Sequence, residues 1–504
     1  MNNLSFFKSF LTFDKNVMSL QILKRIRPRQ FFFLSVAIVV LVYLKPIFSV
    51  WSYSDESDYF SESTTIGRQF AEDGNLFGSF IYNHVSLLLA NSVEDLWRLR
   101  LLSLVCLLLI INKFSTQVIL SNQSRSIQFL IPLALTLPAP MTLISFAMIW
   151  QGSLGMLMAY FACIFWLKYK NGIRIVSIFL LCLSITNSPV NAFAIFGLYA
   201  ALFILTRTRT KIYLKTLASL LVLYGISGAL SVITLLAVKN VYSLEYSARV
   251  GLVNLNDVPE KVYWIFSRPI AVSMRFFDIS SPSTLNALIQ VFLVSTLLVL
   301  GFILQNRVLS ENIFNRIFIF LFSVLLSVTP LIITWSNQIE FRYIFGPSFA
   351  IFLVVSMMVL EFTRLKNKIN VYLSPIIIVS IAILGIVSVV NNTDRQFVAP
   401  YKSKNEFVAS EISNCLLRDS VIDQVIIKPP QTSFPSRKNI GIFSQRTDLD
   451  SPWVPIPTVK NVLNMLDLKV RDISLANHTN FEENKNACVV DLESYRQILL
   501  NRNE

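Results

Sequence analysis

Three carboxylates, Asp55, Glu56 and Asp58, fall within four positions of the stretch SYSDESDYF, residues 52–60. They come directly after a mostly apolar run, roughly residues 31–51. A carboxylate held there could take the proton from an attacking hydroxyl as a general base. Asp55 is closest to the apolar run and is the first choice. Glu56 and Asp58 point differently on any regular backbone and come second. The plain alternative is a solvated loop. Two features weigh against it. Trp51, Tyr53, Tyr59 and Phe60 interleave the acids, which suits the headgroup level of a bilayer. Ionisable groups at membrane depth are also costly, and by default they mark function.

A general base needs an electrophile with a leaving group, and a phosphate leaving group needs cations. The stretch QIEFRYIFGP, residues 338–347, offers Arg342 with Tyr343 beside it. Arginine suits a phosphate through its planar fork of donors. On these residues alone, a snorkelling arginine beside an interface tyrosine is the bland reading. A second source is 238–285, with Lys239, Arg249, Lys261, Arg268 and Arg275; Arg268 and Arg275 are the further candidates for a lipid phosphate. Its acids Glu245, Asp257, Glu260 and Asp278 could neutralise those cations instead. Glu94 and Asp95, just before Trp97, suit the positive start of a helix. The residues suggest no metal site: His84 and His478 are far apart and there is no CxxC.

The elements that must position these groups are apolar helices. Of 504 residues, 54% are hydrophobic and 15% charged, with forty phenylalanines. Runs of that kind read as membrane spans. Spans are expected at roughly 31–51, 97–116, 127–147, 151–167, 174–187, 190–206, 214–237, 286–305, 315–335, 346–363 and 370–390, eleven in all. The first does not read as a cleavable signal peptide, since it starts late and ends without a small-residue cleavage site. The splits fall at Trp150–Ser153 and at Asn187–Ser188–Pro189. Basic clusters flank the second on both sides.

The net charge of +14 reflects topology rather than a nucleic-acid partner. Residues 391–504 hold 14 basic and 14 acidic residues, so the excess lies in 1–390. The inner loops with their flanking span ends carry 20 Lys+Arg against Asp14, Glu311 and Glu361, whereas the outer segments carry 10 basic and 13 acidic residues. That is the positive-inside pattern. The basic N-terminus 1–30 is then cytoplasmic. The domain 31–390 has two long outer loops, 52–96 and 238–285, and the outer tail is 391–504. Within the first loop, 76–90 is apolar but too short to span, which suits an interfacial or re-entrant helix. In the tail, VIDQVIIK (421–428) reads as a strand, and SPWVPIPTV (451–459) is not expected to form a regular helix. Cys415 and Cys488 both lie in this tail, where an oxidising compartment would join them. The fold expected is an all-α polytopic membrane protein with a small α+β C-terminal domain.

On S-D-E-S-D after the first span and the late R-Y-I-F-G-P turn, the chain resembles the GT-C integral-membrane glycosyltransferases. Its length and layout look most like the phage-type serotype-converting O-antigen glucosyltransferases. The resemblance implies a bacterial inner-membrane enzyme with a periplasmic C-terminal domain. It implies a polyprenyl-phosphate-linked glucose donor and a lipid-linked O-antigen acceptor, in a setting of membrane lipid. It also implies functional partnership with a small flippase and a cytoplasmic donor synthase. Asp55 (or Glu56) would be the base of an inverting single displacement, and Arg342 would hold the lipid phosphate. The family includes metal-dependent and metal-independent members, so a divalent cation stays open. Two other classes compete. An O-antigen polymerase or ligase would rely on outer-loop arginines such as Arg249, Arg268 and Arg275. A lipid-linked sugar flippase would place charges at the bilayer midplane, where these spans carry almost none.

Overall fold

The computed structural model describes residues 28–49, 63–119, 125–169, 172–245, 253–277, 284–309, 311–334, 341–364, 370–394, 398–418, 422–430, 455–476 and 487–501. Among them, six helices are long and apolar enough to cross a membrane: Arg29–Ile47, Val93–Ile119, Ala147–Lys168, Thr210–Tyr242, Arg342–Glu361 and Pro375–Thr393. Each falls on a run read as a span in the sequence, and together they make this a polytopic, largely helical membrane protein. Four further apolar helices, Gly172–Asn187, Pro189–Leu205, Leu288–Ile303 and Ile313–Leu326, are shorter and fall on other such runs.

Prolines shape the bundle where the apolar pattern alone is silent. The 127–147 run is not one straight helix: Ser126–Thr136 and Pro138–Ser145 meet at 55°. Pro138 lacks an N–H and drives the residue before it out of the α region; Leu137 is extended at ψ 157°. The next break falls at Phe146, also extended, rather than at 150–153, which begin the helix Trp150–Lys168. The break at 187–189 lies where the sequence places it: Ser188 is extended and Pro189 opens the helix Pro189–Phe193, a position that needs no N–H.

Helix Phe345–Arg364 is the hub of the bundle. It packs against Ile195–Leu205, Thr284–Leu309 and Asn370–Thr393. Its start crosses the 195–205 helix at glycines: a Cβ on Gly197 would overlap the Gly346 backbone, and one on Gly346 would lie 2.7 Å from the Ala194 carbonyl oxygen. Only hydrogen side chains let these backbones approach so closely.

The C-terminal unit has its own core. Strands β1 (Gln424–Lys428), β2 (Asp472–Leu475) and β3 (Ala487–Asp491) form a parallel sheet in the order β2-β1-β3. Val408 and Ile412 of helix Ala399–Arg418 join Val425, Ile427, Val462 and Val490 in its interior. The expected strand at 421–428 is β1. The stretch 451–459 differs from expectation. Its last five residues start the helix Pro455–Met465, because prolines in a first turn forfeit no hydrogen bond. Cys415 and Cys488 are disulfide-bonded, with Cα atoms 5.5 Å apart, tying the 399–418 helix to β3.

Candidate functional site

Asp55, Glu56 and Asp58 lie outside the described residues, as does Arg249. The surroundings of their point of departure are described. Helix Pro28–Ile47 carries Pro46 in its last turn, and helix ends leave carbonyls without intrahelical donors. Arg100, on helix Leu96–Ile119, supplies them. It is wholly buried, and its Nη1 donates to the carbonyl oxygens of Ser49 at 2.8 Å and Pro46 at 3.5 Å. Charge-assisted bonds of this kind are the stronger ones. They fix the backbone six positions before Asp55 in sequence. On the same final turn, Lys45 pairs with Asp394, just beyond helix Asn370–Thr393.

Nothing in the sequence singles out Arg100 from Arg98. The helix separates them. Residues two apart point about 200° apart. Arg98 is exposed, pairs with Asp95 at 3.0 Å and lies over Trp97. Arg100 faces the bundle. The Glu94–Asp95 pair sits at the start of this helix as expected, in the turn Val93–Asp95.

One turn beyond Arg100, Ser103 Oγ donates to the Leu143 carbonyl at 2.5 Å and lies 2.7 Å from Ser153 Oγ. These bonds tie the 96–119 helix to Pro138–Ser145, all of whose residues are buried, and to Trp150–Lys168. The turn Phe341–Ile344 also packs on 138–145. Arg342 is half-buried there. Its Nη2 donates to Tyr343 Oη at 2.9 Å, and its guanidinium carbon lies 4.8 Å from that ring's centre. One short buried helix therefore links the arginine turn to the helix that grips the exit of the first span.

The segment 253–277 approaches the same end of the bundle, with Val253 N–H donating to the Ile333 carbonyl at 3.1 Å. Lys261, Arg268 and Arg275 are spaced by seven, which on a straight helix is one stripe. The structure does not keep them on one stripe. After Val258–Ile265 the chain makes a π turn, Phe266–Ile270, and the added residue rotates the helix beyond it. Arg268 is left exposed. Arg275 is half-buried, beside Phe276 and Phe277; both rings pack on Phe352. The Phe277 carbonyl accepts from Ser388 Oγ at 2.7 Å and Asn392 Nδ2 at 3.4 Å. Phe276 and Phe277, next to Arg275, and the Arg342 turn thus both pack on helix Phe345–Arg364.

The most buried cation of the segment is Lys261, 5% exposed, with Nζ 4.1 Å from the centre of the Trp264 ring. Burial pushes its pKa down to about 8. The sequence names this lysine but gives no reason to prefer it.

No group of three or more His, Cys, Asp or Glu able to hold a metal occurs among the described residues. Helix Leu76–Leu89 lies where an interfacial helix is expected. It exposes Phe80 and Leu88 and buries Tyr82 and Ser86; Ser86 Oγ accepts from Trp150 Nε1 at 3.0 Å. In comparisons with known proteins, no family model, no curated protein and no solved structure matches this chain.

Proposed function

We propose that this protein transfers a sugar, glucose on the family resemblance, from a polyprenyl-phosphate-linked donor to lipid-linked O-antigen at the outer face of a bacterial inner membrane. In this reading the chain crosses eleven times, with a cytoplasmic N-terminus and a periplasmic C-terminal unit. The Cys415–Cys488 disulfide supports an oxidising compartment for that unit. The observation that carries the reading is the linkage through helix 138–145. Both the Arg342–Tyr343 turn and the helix whose Arg100 fixes the end of the first span pack on it.

The chemistry then runs as a single displacement. Asp55 takes the proton of an acceptor hydroxyl, and the freed oxygen attacks the anomeric carbon. The bond from that carbon to the phosphate oxygen breaks, and polyprenyl phosphate leaves with the electron pair. Arg342 neutralises the charge that develops on it, the task electrostatic catalysis asks of a preorganised cation. One base suffices for inversion, which agrees with one carboxylate stretch rather than two opposed ones. Glu56 and Asp58 are the alternative bases; Arg275, and at the exposed rim Arg268, would attract the lipid phosphate. The test compares O-antigen from cells expressing wild type, Asp55→Asn, Glu56→Gln and Arg342→Ala at equal membrane levels. A side-chain hexose present with wild type and lost with Asp55→Asn supports the reading. Altered chain length without added hexose would move it to a polymerase.

A further inference from the structure

Three amides are buried together at the same end of the bundle, and the proposed displacement uses none of them. Gln151 starts the helix Trp150–Lys168, Asn187 ends Gly172–Asn187, and Asn191 lies in Pro189–Phe193. They are 5%, 3% and 3% exposed. Asn187 Nδ2 donates to the Gln151 carbonyl at 2.6 Å, and Asn191 Nδ2 donates to Ser188 Oγ at 2.8 Å. Gln151 Nε2, Asn187 Oδ1 and Asn191 Oδ1 have no hydrogen-bond partner among the described residues. Leaving one such atom unsatisfied costs on the order of 1–3 kcal/mol, so three in one place need an explanation.

Glycines surround the cluster. The point where a Gly78 Cβ would stand is 3.1 Å from Gln151 Oε1 and 3.3 Å from Asn187 Oδ1. A Cβ on Gly155 would lie 2.9 Å from Asn187 Nδ2, and one on Gly152 would overlap Asn191 Nδ2. The same Gly152 position faces Leu143 of the 138–145 helix, and both that helix and Pro189–Phe193 pack on the Arg342 turn. The open atoms are one donor and two acceptors, all neutral. A hydroxyl both donates and accepts, so a polyhydroxylated group satisfies such a set, whereas an anion would meet two carbonyl oxygens.

We infer that Gln151, Asn187 and Asn191 form a sugar-hydroxyl subsite beside the Arg342 turn; this rests on the transferase reading and specifies where its sugar is read. The sugar could be that of the donor or one of the acceptor, and the probes separate the two. Protein reconstituted in lipid nanodiscs is titrated with polyprenyl-phosphate-linked glucose, with bare polyprenyl phosphate and with free O-antigen oligosaccharide. The variants are Asn187→Ala, Asn191→Ala and Gly78→Ala, the last placing a methyl against two of the amide oxygens without removing any amide. For a donor subsite, wild type binds the glucosyl lipid more tightly than the bare lipid. Each variant then loses about tenfold on the glucosyl lipid, the size of one hydrogen bond, and nothing on the bare lipid. A loss confined to the oligosaccharide assigns the same subsite to the acceptor.

Variants that bind all three probes like wild type would overturn the inference and make the amides a hydrated helix contact. An equal loss on every probe with a lowered Tm would overturn it too, as a purely structural role. A wild type that binds bare lipid phosphate, but neither prefers the glucosyl lipid nor binds the oligosaccharide, would overturn the subsite and leave Arg342 as a phosphate holder. A wild type that binds no lipid would overturn the transferase reading, and the subsite with it.

Discussion

The two ends of the helical bundle bury polar groups in different ways. At the end away from the first-span exit, charge meets charge. Arg316, 1% exposed, donates through Nη1 to Glu311 Oε2 at 2.8 Å and to the Thr208 carbonyl at 3.0 Å, and it lies over the Phe203 ring. Glu311 also accepts from Thr210 N–H and Oγ1. Burial alone would raise its pKa, but the bonds from Thr210 and Arg316 outweigh it and hold the carboxyl below its usual value. Arg207 pairs with Glu361 at 2.6 Å nearby. Two interhelical connections, 206–209 and 311–312, are held by carboxylates whose partners are in place. At the exit end, Arg100 is spent on backbone carbonyls, Lys261 is buried on an indole ring, and three amides keep open bonding atoms. Both ends leave buried polar atoms without a partner among the described residues, but at the far end these are Nε of Arg207 and Nε and Nη2 of Arg316, on cations already paired with a carboxylate, whereas at the exit end they include amide atoms with no charged partner.

That contrast predicts that substitutions at the exit end change activity and those at the far end change stability. The largest effect is Asp55→Asn, expected to lower transfer by about a hundredfold or more, the share of a general base, with unfolding unchanged; rates in reconstituted membranes measure it. Next, Cys415→Ser with Cys488→Ser opens a loop of 73 residues. The loss should be about 4 kcal/mol from the C-terminal unit, seen as earlier unfolding of that unit alone. Glu311→Gln leaves the buried Arg316 without its charge partner and should cost roughly 3 kcal/mol, while transfer per folded molecule stays at the wild-type rate. A transfer defect as large as that of Asp55→Asn would erase the difference between the ends.

The smallest effect sharpens the account of Lys261. Its folded pKa is depressed, so between about 8 and the unfolded value near 10.4 the unfolded chain binds more protons. Stability should therefore rise with pH across that window. Lys261→Met should flatten the rise, and thermal melts in detergent at a series of pH values test this.

How far the sequence carries depends on where each feature originates. Apolar runs and their break at Asn187–Ser188–Pro189 are local, and they are readable. The bend at Leu137–Pro138 is signalled by a proline rule but hidden inside one apolar run. The prolines at 455 and 457 mislead, because their effect depends on where the helix starts. Arg100 differs from Arg98 only by which face meets the bundle, and a single helix does not reveal that. The seven-residue spacing of Lys261, Arg268 and Arg275 promises a stripe that a π turn breaks, and no residue type marks a π turn. Gln151, Asn187 and Asn191 are span-end polar residues in sequence; only the packing of three helices makes them a cluster.

The central claim is that the exit of the first span is the reacting end. The direct measurement is transfer of labelled glucose from polyprenyl-phosphate-linked glucose to lipid-linked O-antigen by the purified protein in membranes, comparing wild type, Asp55→Asn, Arg342→Ala and Glu311→Gln. Transfer by wild type and by folded Glu311→Gln, with loss in the other two, is the predicted result. Transfer that survives both Asp55→Asn and Arg342→Ala would contradict it.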